Sequence, residues 1–193
     1  MKSKNKILII LGHPLKDSFC GALAQSYIKG ANESSKEIKT IYLGDLDFDP
    51  VLRNGYKKIQ ELEPDLINAQ EKIKWAEHIV LIYPTWWATY PALVKGFFDR
   101  ILLPSFGFRF EKESNWLPKK LLKGRTLQLI ITMDGPPLLY RFFLGNLHKK
   151  IIKQTLGFCG IKLTKTNYFG SMKKSSSYQR KKWLDTVYSF GKK

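Results

Sequence analysis

Acidic residues are scarce in this chain: 16 Asp and Glu stand against 33 Lys and Arg in 193 residues, a formal charge of +17. Such an imbalance attracts anions of every kind and names no partner by itself. Cysteine is scarcer still. Cys20 and Cys159 lie far apart and fit neither a disulfide framework nor a metal-ligand spacing, so the expected setting is reduced and cytoplasmic. Long apolar runs are missing as well. The longest uncharged stretch, 79–94, is 16 residues and holds Pro84 and Pro91, where a membrane helix needs ~20 apolar residues. Lys2, Lys4 and Lys6 precede an apolar run that stops after Ile7–Leu11 at Gly12-His13-Pro14, short of the roughly 7–15 residues of a signal-peptide core. Neither a transmembrane segment nor a secretory leader is expected.

Several chemistries lack their signatures too. There is no G-x-S-x-G, no H-E-x-x-H and no Cys/His cluster, so hydrolase and zinc readings have no support. Neither the dinucleotide pattern G-x-G-x-x-G nor the Walker pattern occurs. Asp45-x-Asp47-x-Asp49 opens like a calcium loop, but Pro50 stands at its glycine position and Tyr56 at its final glutamate. A polar loop and helix cap is the better reading, and no metal site is expected.

What is present is a globular composition, 44% apolar and 13% aromatic, over a length that suits one domain, residues 1–193. Short apolar runs alternate with longer helical patterns. Strands are predicted at 6–11, 38–43, 78–83, 125–132 and 161–169. Helices are predicted from Ser18, over 66–75, from Pro91 to about 102, over about 138–158, and over 175–190. The alternation predicts an α/β fold, a five-stranded parallel sheet with helices on both faces. Ligands of such sheets bind beyond the carboxyl ends of the strands, so the loops after the first, third and fourth strands are the ones to inspect.

The first loop, Gly12–Cys20, includes His13 and brings Ser18, Phe19 and Cys20 to a helix N-terminus. Partial positive charge there favours a phosphate, unless the loop is an ordinary turn with Ser18 as cap. The second, Tyr83–Pro91, contains Pro84, Thr85, Trp86, Trp87 and Ala88. Its indoles either flank a flat conjugated ligand, plug the end of the core, or serve an oligomer interface. The third, Thr132–Tyr140, offers Met133, Asp134, Gly135 and a proline-stiffened turn, which otherwise simply sets up the next helix.

Together these loops resemble the flavodoxin-like NAD(P)H:quinone oxidoreductases. The pieces that match are His13-Pro14 with Ser18-Phe19, Tyr83–Trp87 running into Pro91–Arg100, Leu103–Phe108, Thr132–Gly135 and Phe158-Cys159-Gly160. The stretch 86–108 is the most specific. The resemblance implies a flavin whose phosphate is held by Ser18 and neighbouring amides with His13 nearby. It implies an isoalloxazine held by 84–88, with Trp87 at the position of the family's aromatic, and its pyrimidine edge at 132–135. Tyr140 then faces the nicotinamide or quinone as the catalytic residue. It further implies hydride transfer from NAD(P)H to the flavin, two-electron reduction of a quinone-like acceptor, and a homodimer whose partner completes the pocket. FMN is favoured over FAD because the chain lacks the long C-terminal extension of the mammalian enzymes. Those enzymes also have a Gly-rich loop where this chain has Asp134–Pro137. They pair the tyrosine with a histidine soon after it, whereas His148 lies eight residues beyond Tyr140, beside Lys149 and Lys150, and is given no role.

Other readings are a flavin-fold regulatory subunit of a membrane transport system, with little turnover, and a cationic surface-binding protein. Basic residues cluster at 119–125, 149–153 and 173–182 without a nucleic-acid motif, so no specific nucleic acid is expected. A solvated cationic face, a peripheral membrane contact, or steering of an NADPH 2′-phosphate all fit them. Cys20 and Cys159 read as small buried residues, and His78 as structural.

Overall fold

The computed structural model describes residues 6–111 and 114–193, and only the backbone of 114–117; Lys2 and Lys4 lie outside the described residues. Three strands, β1 (Lys6–Leu11), β3 (His78–Pro84) and β6 (Thr126–Thr132), form the middle of a parallel sheet. The edges are β2 (Glu37–Tyr42) and β7 (Lys162–Phe169). The order β2-β1-β3-β6-β7 is the flavodoxin-type doubly wound order, with its switch point between β1 and β3. The central strands are continuous apolar runs because both faces are covered. Leu8, Ile10, Leu81, Leu127 and Leu129 point to one layer, Ile7, Ile9, Val80, Ile82 and Ile130 to the other. The edge strands carry Lys and Thr among their apolar residues, as strands open to water on one side do.

The first layer contains α2 (Pro64–Trp75), α3 (Ala92–Ile101) and α4 (Leu147–Thr155). The second contains α1 (Phe19–Asn32) and α5 (Ser177–Lys192). These last two pack closely through Gly30 and Gly191. A Cβ at Gly30 would lie 2.1 Å from the carbonyl oxygen of Tyr188, and one at Gly191 2.3 Å from that of Tyr27.

Two features depart from the sequence expectation. The helix predicted over about 138–158 is broken: a π-helical turn, Leu139–Phe143, precedes α4. Gly145 (φ 61°) and Asn146 (φ 56°) are both left-handed, a conformation that the interior of a right-handed helix excludes. The break turns Leu138, Phe142 and Phe143 outward while His148 turns inward, 1% exposed. In addition, a hairpin of β4 (Phe108–Glu111) and β5 (Ser114–Lys120), unforeseen in the sequence, stands between α3 and β6. Among the described residues no helix is long and apolar enough to cross a membrane.

Candidate functional site

The crevice beyond the carboxyl ends of β1, β3 and β6 is built by the three loops singled out above. In the first, Gly12 is where the chain passes closest to α3: a Cβ there would sit 2.5 Å from Val94 Cγ2. The Gly12 amide donates to the carbonyl of Ile82 at 2.7 Å, tying the loop to β3. Ser18 is the N-cap of α1; its Oγ accepts from the Gly21 amide at 3.1 Å and donates to the carbonyl of Leu15 at 2.8 Å. The Ala22 amide takes the Ser18 carbonyl at 2.9 Å. The first turn of a helix has amides with no intrahelical partner, and in α1 these include the amides of Phe19 and Cys20. His13 Nδ1 accepts from the Leu15 amide at 3.0 Å, and its ring meets Trp86 edge-on with centroids 5.7 Å apart.

The second loop is a tight hairpin. The Trp86 amide donates to the Thr89 carbonyl at 2.9 Å and the Thr89 amide returns to Trp86 at 3.1 Å. Between them Trp87 and Ala88 both have positive φ, 48° and 63°, the signature of a type I′ turn that Asn and Gly ordinarily fill. A tryptophan and an alanine there store strain of the sort found at functional sites. Ala88→Gly is expected to raise stability by about 0.5–1 kcal/mol, seen as a higher urea midpoint at constant slope. The Thr85 amide donates to the Thr132 carbonyl at 2.7 Å, fixing this loop to the third.

The third loop leans on the chain after β7: Met133 donates to the Phe169 carbonyl and Met172 to the Met133 carbonyl. Asp134 lies 3.3 Å from Lys173 Nζ, so its carboxylate is already paired. The three loops enclose about 210 Å³ lined by His13, Ser18, Phe19, Cys20, Pro84, Thr85, Trp86, Thr132, Met133, Asp134 and Met172. Ten of the thirteen residues expected to hold a cofactor therefore meet in one crevice.

The other three sit outside its lining. Trp87 is 99% exposed and faces a neighbouring groove of about 620 Å³ with Tyr90, Lys95 and Ile151. Ala88 is in the turn, and Gly135 packs under Tyr140, where a Cβ would come within 2.9 Å of the ring. Tyr140 also lies outside the lining, its ring against His148 with centroids 6.0 Å apart.

Cys20 is buried at the base of the crevice, its Sγ 3.2 Å from Thr132 Oγ1. Burial pushes its thiol up to about 11, outweighing that hydrogen bond, so it stays protonated. Cys159 is buried, as its sequence context implied. His78 Nδ1 meets Thr126 Oγ1 at 2.8 Å and joins β3 to β6, a structural role.

Two residues of the site escaped sequence reading. Met172 comes from a short turn with no motif. His148 has Nδ1 3.2 Å from Tyr83 Oη and Nε2 3.1 Å from Thr85 Oγ1. Its ring also contacts Tyr168 with centroids 6.1 Å apart. It thus braces the second loop from below. Desolvation lowers its pKa to about 4, so the imidazole is neutral, one nitrogen donating and the other accepting.

Comparison with known proteins fits this architecture. The model of a family described as having the flavodoxin-like fold matches residues 5–185. The chain belongs to this flavodoxin-like family. It is 29% identical over 187 residues to an uncharacterized NAD(P)H oxidoreductase of Haemophilus influenzae, covering 92% of this chain and 90% of that one. It is 28% identical over 212 residues to the mouse ribosyldihydronicotinamide dehydrogenase [quinone], covering 93% and 87%. Among solved structures, an FMN-dependent NADH-azoreductase of Bacillus anthracis in complex with FMN superposes with a TM-score of 0.73 at 20% identity, covering 97% of each chain. At that identity the superposition speaks for the fold.

Proposed function

We propose that this member of the flavodoxin-like family is a flavin-dependent NAD(P)H:quinone oxidoreductase with FMN as its cofactor and residues 1–193 as one functional unit. The observation that carries the reading is the meeting of three sequence-distant loops around one crevice at the switch point. One side of that crevice is a helix N-terminus and the other an aromatic wall. Related proteins named NAD(P)H oxidoreductase and quinone dehydrogenase, and an FMN-bound structural neighbour, support it.

The residues suit such a cofactor. The amides of Phe19 and Cys20 at the start of α1 provide a phosphate cradle, with Ser18 holding that turn open in shape rather than offering its own hydroxyl, which is spent on the cap. Pro84, Thr85 and Trp86 line one wall for a flat ring and Thr132, Met133 and Asp134 line the far edge, where a pyrimidine edge would sit. When bound, a flavin supplies the two-electron chemistry between a reduced nicotinamide and a quinone. The chain positions and shields: the crevice keeps four of its members, Cys20, Pro84, Thr132 and Met133, buried, and His148 holds Thr85 in place. Tyr140, on the π-helical turn, is assigned to the nicotinamide or acceptor side, and Trp87 to the outer rim.

A homodimer belongs to the same reading. The exposure of Trp87 (99%) and Phe143 (82%) supports a partner copy that covers them and completes the acceptor pocket. Two free, buried cysteines support a reducing cytoplasmic setting.

The test compares FMN with riboflavin, which lacks the phosphate, by quenching of flavin fluorescence. The wild type is expected to prefer FMN by at least about tenfold. Ser18→Ala is expected to cost about 1 kcal/mol of stability and to shrink that preference. Equal affinity for the two flavins, or no binding of either, would contradict the assignment.

A further inference from the structure

Away from the crevice, the outer edge of the sheet carries a groove of about 270 Å³ between β7 and α4. Arg141 enters it from the π-helical turn and Lys149 and Lys153 from successive turns of α4, while Lys165 of β7 borders it but carries its ammonium over the Phe190 ring of α5, 3.8 Å from the centroid. None of its lining residues is acidic. Lysines four apart on a helix repel each other. An anion in the groove relieves that repulsion. Further donors stand beside the cations. β7 is an edge strand, so its outward amides have no strand to pair with. Asn146 Oδ1 accepts from Tyr168 Oη at 2.5 Å, which leaves the Asn146 amide nitrogen as a donor.

The groove and the crevice lie toward the same end of the sheet. Tyr168 lies near the carboxyl end of β7, the end at which the three loops meet. Two successive ring contacts, Tyr168 to His148 and His148 to Tyr140, run from the groove to the residue assigned to the nicotinamide. We propose that this groove binds the adenylate end of NADPH, with Lys149 and Lys153 reading its 2′-phosphate. The inference rests on the nicotinamide-dependent function above and adds a preference for NADPH over NADH. NADH lacks the 2′-phosphate and leaves the lysine repulsion in place.

The test is calorimetric titration of the FMN-loaded protein with 2′,5′-ADP, with 5′-AMP and inorganic phosphate as separate arms. The expected result is 2′,5′-ADP binding about tenfold or more tighter than 5′-AMP. The doubly substituted Lys149→Gln/Lys153→Gln protein is expected to lose that advantage and to show a KM for NADPH raised about tenfold, with KM for NADH and affinity for FMN unchanged. Lys57→Gln/Lys58→Gln, an exposed basic pair elsewhere with the same change in net charge, is expected to leave all of these as they are. Equal binding of 2′,5′-ADP and 5′-AMP overturns the proposal. So does binding of inorganic phosphate as tight as that of 2′,5′-ADP, or an equal loss in the control pair. If 2′,5′-ADP binds as expected while neither nicotinamide reduces the flavin, the groove stands and the oxidoreductase reading falls.

Discussion

Arg100→Met is expected to destabilise the protein by about 3–5 kcal/mol, the usual cost of breaking a buried ion pair from one side. Arg100 is 0% exposed although it lies on a helix. Its guanidinium grips the long connection between β2 and α2. Nη1 donates to the Asp49 carbonyl at 2.5 Å and to Glu63 Oε1 at 3.0 Å; Nη2 donates to the Glu61 carbonyl and Glu63 Oε2, both at 2.8 Å. Partial burial raises the pKa of Glu63, but the hydrogen bonds from Arg100 and from backbone amides outweigh it and the carboxyl falls below its usual value. The connection is seated on α3 at Gly96, where a Cβ would come within 2.5 Å of Pro50 Cβ. Methionine fills the volume but strands one carboxylate and two carbonyls. A double-mutant cycle with Glu63→Gln separates the pair from the packing, and a coupling above about 1 kcal/mol is expected. A loss below about 1 kcal/mol in urea unfolding of Arg100→Met would show that the grip contributes little.

The second large effect is a pH dependence from His148. Its pKa is lowered to about 4 in the folded protein by desolvation, from an ordinary 6.5. Between those values the unfolded chain binds the extra proton and the folded one does not, so stability falls as pH falls. The contribution is fully present above about pH 6.5 and is lost by about pH 4, a total of about 3 kcal/mol. Of the side chains packed against the ring, Tyr83 and Tyr168 have hydroxyls pushed by burial above the usual tyrosine value, far from that window. Asp49 and Glu63, both lowered by their hydrogen bonds, weaken the fold further in acid, but equally in wild type and variant. The stability difference between wild type and His148→Gln should therefore shrink by about 3 kcal/mol from pH 7 to pH 4. A difference that stays constant would mean that His148 is solvated in the folded protein.

What the sequence made legible follows from how each signal arises. β1 and β3 announce themselves because strands covered on both faces must be apolar throughout, and Ser18 because caps use short hydroxyl side chains. The loops of the crevice were legible through motif residues grouped next to strand ends. The break at Gly145-Asn146 was not, since apolar residues recur at helical spacing on both sides of it and a single Gly-Asn reads as tolerable. Trp87-Ala88 gave no turn signal because neither residue is one that left-handed backbone selects. His148 is masked by Lys149 and Lys150 beside it, which suggest a solvent-facing stretch. Yet on α4 residues 149 and 153 share a face turned away from the one that His148 and Ile152 bury. Contacts between segments distant in sequence, such as Arg100 to Glu63, have no local pattern to betray them.

The most direct measurement is an anaerobic titration of the FMN-loaded protein with NADPH and NADH, followed at the visible flavin absorption band. One equivalent of NADPH is expected to bleach the band, and a quinone added afterwards to restore it within a turnover. A flavin that stays oxidised with both nicotinamides, while bound in the crevice, would contradict the oxidoreductase function.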